Sequence, residues 1–106
     1  MRMESVTTGR ATTSAQQVVS VTTSSGTFLL AAPRRVALIV SAPLTNRFTL
    51  SLKSTAVIDE GLTLHPTQDP LLLTVEKHGD LVTRGWTAIS SSGTQGVAVI
   101  EVFSAV

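Results

Sequence analysis

Short apolar and β-branched runs, cut by turn residues roughly every ten positions, recur along this chain, and no helical period lasts long enough to compete. The clearest run is Arg47–Lys53. Phe48, Leu50 and Leu52 alternate with Arg47, Thr49, Ser51 and Lys53, the period-two pattern of a half-buried strand with one wet face. Val36–Val40 is apolar on both parities, as a central strand covered on both faces would be. Other strands are predicted over Val18–Thr23, Thr27–Ala32, Leu62–Leu64, Leu71–Val75, Leu81–Ile89 (one or two short strands, with Gly85 as a candidate bulge) and Val97–Phe103. Ser24-Ser25-Gly26, Asp59-Glu60-Gly61, the proline loop His65–Pro70 and His78-Gly79-Asp80 separate them. About eight short strands at this spacing predict an all-β fold: a single small β-sandwich or a jelly-roll-like barrel. Val36, Leu38, Val40, Phe48, Leu50, Leu52, Trp86 and Ile100 are its expected core.

At 106 residues the chain has room for one small domain. Thr (16) and Val (13) are its commonest residues, and both suit pleated surfaces. The first sixteen residues, Met1–Gln16, are polar and Ser/Thr-rich, and are expected to form a flexible arm ahead of a sandwich over residues 17–106. They contain no apolar stretch of the kind a secretory leader carries, so no leader is expected. The apolar stretch Phe28–Leu44 is interrupted by Pro33-Arg34-Arg35, which leaves each half too short to span a bilayer, so no membrane partner is expected. A formal net charge of +1 lacks the basic excess that nucleic-acid binding requires. With no cysteine, a disulfide framework, a thiolate zinc site and a cysteine nucleophile are all excluded.

The residues that could carry chemistry do not assemble into a known constellation. Ser90-Ser91-Ser92-Gly93 offers hydroxyls without a neighbouring histidine or a Gly-x-Ser-x-Gly elbow, and reads as a loop. Glu76, His78 and Asp80 have strand spacing, but a turn at Gly79-Asp80 would break the face that a shared metal needs. Asp59 and Glu60 are adjacent, so in a strand they point apart and cannot flank a sugar. Gly93-Thr94-Gln95-Gly96 lacks the lysine of a phosphate loop. No enzyme activity, catalytic residue, cofactor or metal is therefore expected. Arg34 and Arg35 form a basic pair in a chain poor in charge. They read either as candidate contacts to an acidic partner surface or as an ordinary wet loop. Trp86 reads as a core residue if buried and as a sugar or interface platform if exposed.

Ala32-Pro33-Arg34-Arg35 leading into Val36–Ser41, then Glu60-Gly61-Leu62-Thr63-Leu64-His65-Pro66, then Trp86–Thr94 before a Val/Ile strand, resembles small β-sandwich structural proteins of tailed bacteriophage virions. The resemblance spans Ala32–Phe103. It implies a non-enzymatic capsid decoration (cement) protein on the virion surface. Its partner would be the major capsid protein or another virion protein, and it would act as a homo-oligomer, with a trimer favoured. A head-fibre base, a tail or adaptor component, and a carbohydrate- or receptor-binding module are the alternatives.

Overall fold

Residues 12–104 are described in a computed structural model of the chain. Eight strands form two antiparallel four-stranded sheets. They are β1 (Thr12–Val21), β2 (Gly26–Leu29), β3 (Arg35–Val40), β4 (Phe48–Ser51), β5 (Leu62–Leu64), β6 (Leu71–Thr74), β7 (Trp86–Ser90) and β8 (Gln95–Ser104). One sheet runs β1-β8-β3-β6 and the other β2-β7-β4-β5. That pair of orders is the strand arrangement of a jelly roll, in which the chain passes repeatedly between facing sheets.

Leu38, Val40, Leu73, Val97 and Val99 from the first sheet pack with Phe28, Phe48, Leu50, Leu64, Trp86 and Ala88 from the second. The rings of Phe28 and Phe48 lie 6.2 Å apart at a 34° tilt. Of the expected core, Leu38, Val40, Phe48, Leu50 and Trp86 are buried. The Trp86 indole N–H donates to the Leu81 carbonyl at 3.3 Å, which satisfies its one polar atom.

Three core expectations are corrected. Leu52 lies beyond the end of β4 at Ser51 and is exposed. Val36 is only half-buried, because β3 carries a bulge against β8: Arg35 pairs with Phe103 and Ala37 with Val102, so Val36 is the extra residue. Ile100 faces outward at 37 % exposure, since Val97, Val99 and Glu101 of β8 take the inward parity.

The wet face expected for β4 is also absent. Thr49 and Ser51 are buried beneath the following segment. The Asp59 N–H donates to Thr49 Oγ1 at 2.9 Å, and the Thr49 and Thr63 hydroxyls share a 2.8 Å hydrogen bond. Gly61 lies so close that a Cβ there would collide with the Leu50 carbonyl oxygen.

The expected tight turn at His78–Asp80 is instead a one-turn helix, α1 (Val75–His78), followed by a 3-10 turn, Gly79–Val82. Thr74 caps α1, and His78 Nδ1 accepts the Thr74 N–H at 3.0 Å. Gly79 holds the left-handed φ of 59° that links the two turns. The second turn ends on Val82, which is wholly buried. The strand expected from Leu81 therefore begins only at Trp86.

At the other end of the chain, Thr12–Gln16, expected in the arm, form the first half of β1. They pair with Ser104 through Ile100 of β8 without a register break. The rest of the expected arm, residues 1–11, lies outside the described residues.

Candidate interaction surface

The two adjacent arginines part company at the start of β3. Arg34 is exposed, and its Nε donates to the Ser104 carbonyl at 3.0 Å. Arg35 is 1 % exposed, so its expected role as a contact to a partner is corrected. The bulge at Val36 turns Arg35 inward toward Glu101. Arg35 Nε lies 3.1 Å from Glu101 Oε2, but the N–H does not aim at the oxygen, so this is an ion pair without a hydrogen bond. The remaining donors bind backbone: Nη1 to Val82 O (3.2 Å) and Arg84 O (3.4 Å), and Nη2 to Leu30 O (2.6 Å). Glu101 Oε1 in turn accepts from Gln17 Nε2 at 2.9 Å. The network thus ties β1, β3, β8, the β2–β3 loop and the 3-10 turn together. It floors an open groove of about 260 Å³, where the Arg35 charge is already met by Glu101 and its Nη atoms by carbonyls.

The other sequence candidates are engaged locally. Ser90 Oγ donates to Ser92 O and accepts from Gln95 Nε2, which stitches the Ser90–Gly93 turn. Asp59 is bound by Arg47 through two hydrogen bonds, of 2.9 and 3.0 Å, that hold its carboxyl below the usual range. Glu60, Glu76 and Asp80 are exposed, and His78 is taken up by the helix cap. Among the described residues no three such side chains come together as a metal site, and no helix is long and apolar enough to cross a membrane. Trp86 and Phe48 are buried in the sandwich, so they offer no exposed platform for a sugar.

One large surface remains. The outer face of β1-β8-β3-β6 carries no charged residue at any strand position in the described residues. Across it, Gln16, Ile100, Ile39 and Leu72 stand opposite one another on the four strands. Strand spacing of about 4.8 Å places the three apolar side chains of that row in contact range. Val18 (69 % exposed) and Leu72 (54 %) widen the stripe beyond half-buried Ile39, Ala98 and Val102. This face is not legible in the sequence, because both parities of β8 are largely apolar, and a charge-free register across strands far apart in the chain is visible only once they are paired. The outer face of the second sheet differs, being sealed at Thr49 and Ser51 by the segment after β4.

No family model, curated protein or solved structure was found that matches this chain.

Proposed function

We propose that this chain is a non-enzymatic structural protein that binds protein surfaces through the outer face of β1-β8-β3-β6. Its most specific setting is the outer shell of a tailed-bacteriophage capsid. There it acts as a decoration protein on the major capsid protein or another virion protein, in several copies. The observation that carries the proposal is the charge-free apolar face. An uncharged sheet face with exposed Val18, Leu72 and Ile100 loses little on desolvation and gains by burial, as the centre of a protein–protein interface does. The resemblance of Ala32–Phe103 to small virion proteins supports the setting, and jelly rolls are common in capsid domains, although a fold alone assigns no role. On a shell of many equivalent sites, a modest contact at each site sums to large particle stability, because a protein that binds only the assembled state shifts assembly by mass action.

The test is made on particles. Capsids assembled without the protein should be complete in shape, should lose their contents at lower temperature than decorated ones, and should regain resistance when purified protein is added back. Equal resistance with and without the protein, combined with failure of the bare particles to join tails or adsorb to cells, would contradict decoration and point to an adaptor or receptor-binding role.

A further inference from the structure

Among the described residues the two sheets have four edge strands, and three of them are short: β2 and β6 have four residues and β5 has three. The fourth, β1, has ten. Proteins usually blunt a long edge with lysine, proline, a bulge or a covering loop. Thr12–Val21 contains no charged residue and no proline, its ten pairs with β8 run without a shift, and every side chain from Thr12 to Val18 is exposed.

The hydrogen-bond phase of β8 shows which groups this edge presents. Ser104 N–H binds Arg34 O, and Ala98 O accepts from Ser41 N–H, so the even positions of β8 bond toward β3 and the odd positions toward β1. The odd residues of β1 pair with those odd positions. Thr12, Ser14, Gln16, Val18 and Ser20 therefore aim their backbone N–H and C=O groups at the open edge.

We infer that the occupant of this edge is β1 of a second copy, antiparallel across a two-fold axis at Gln16. In that register Gln16 meets Gln16 of the partner copy, Ser14 meets Val18, and Thr12 meets Ser20. Every outward backbone group of the strand is paired, with about ten hydrogen bonds across the junction. Shifting the strand by two residues in either direction leaves an end pair unmade. The side chains tolerate the pairing: an amide faces an amide at Gln16, Thr12 and Ser20 set hydroxyl against hydroxyl, the small Ser14 sits beside Val18, and no charge meets its own sign. The contact is isologous, so it closes on itself as a dimer, and the two first sheets become one sheet of twice the width. The charge-free outer face is then continuous across both copies. This two-fold pairing stands on the edge alone, independent of the capsid setting, and it replaces the three-fold assembly that the resemblance implies.

The full-length chain is tested by light scattering coupled to size exclusion, and by residue-resolved amide exchange. The expected mass is twice the chain's 11.1 kDa, with the amides of Ser14, Gln16 and Val18 protected as well as those of their odd-numbered neighbours. Gln16→Lys places two like charges opposite each other on an exposed strand and should weaken the dimer roughly fivefold or more at low salt. Mixing it with Gln16→Glu should restore a heterodimer. Gln16→Pro removes only an outward N–H, so it should give a monomer with an unchanged circular dichroism spectrum. Three results would overturn the inference: a trimer, a dimer indifferent to Gln16→Lys and Gln16→Pro, or a monomer with exchange-open Ser14, Gln16 and Val18, which would leave the edge to a strand of another protein.

Discussion

Glu101→Leu is expected to be among the most damaging substitutions at any position outside the apolar core. Arg35 is 1 % exposed, and among the described residues Glu101 is its only anionic contact, at 3.1 Å. Removing the carboxylate leaves a buried guanidinium that still binds three carbonyls but has no countercharge. Breaking a buried pair from one side costs about 3–5 kcal/mol, a large part of the roughly 5–15 kcal/mol available to a domain. Gln17 Nε2 also loses its acceptor, but it sits on an exposed strand where water can replace the bond, which adds little. Arg35→Met should cost at least as much, because it strands Glu101 and leaves the carbonyls of Leu30, Val82 and Arg84 without this donor. The double variant Arg35→Met with Glu101→Leu should lose clearly less than the sum of the singles, by about 1–3 kcal/mol, since neither charge is then stranded. Urea unfolding followed by the fluorescence of Trp86, the one tryptophan and a buried one, measures all three. A Glu101→Leu loss under about 1 kcal/mol, or strict additivity in the cycle, would mean that the buried pair does not hold β3 and β8 together.

Leu50→Ala, at a fully buried site, should cost about 2–5 kcal/mol in the same assay, whereas Leu52→Ala, on an exposed residue, should cost under about 1. Gly61→Ala forces a methyl group against the Leu50 carbonyl and should lower the urea midpoint by an amount corresponding to about 1–3 kcal/mol; an unchanged midpoint would mean that the segment after β4 does not press on the strand. The Arg47–Asp59 pair holds the Asp59 carboxyl below its ordinary value, so its contribution is present above that value and fades as pH falls through the lowered one. Asp59→Asn should therefore lower stability slightly at neutral pH and flatten the acid limb of the stability curve, with most of the difference lost in high salt because the pair is exposed.

Local alternation was enough to place Phe48 and Leu50 inside, and turn chemistry at the prolines and glycines separated most of the strands. The rest of the fold is decided by partners distant in the chain. In β8 both parities are apolar, and what turns Val97 and Val99 inward is their register with β3 and the ion pair of Glu101 with Arg35, 66 residues away in sequence. Arg35 itself reads as a surface charge until the bulge at Val36 aims it into the sandwich. Thr49 and Ser51 look solvent-facing, yet the segment after β4 folds over them and supplies the Asp59 N–H to the Thr49 hydroxyl. Thr12–Gln16 have no apolar pattern that marks a strand, and β8 orders them through main-chain pairing, which side-chain periodicity does not encode. The candidate surface was illegible for a related reason: its signature is the absence of charge across four strands that are far apart in sequence.

Sedimentation of the purified chain with bare capsids, comparing the wild type with Leu72→Lys and Ile100→Lys, decides whether the outer face of β1-β8-β3-β6 is the binding surface. Both substitutions fall on exposed positions of the outer face, so folding should be retained, as circular dichroism can verify. The wild type should pellet with the particles, and each lysine variant should stay largely in the supernatant. Variants that pellet as well as the wild type would contradict this expectation and move the binding surface off this sheet.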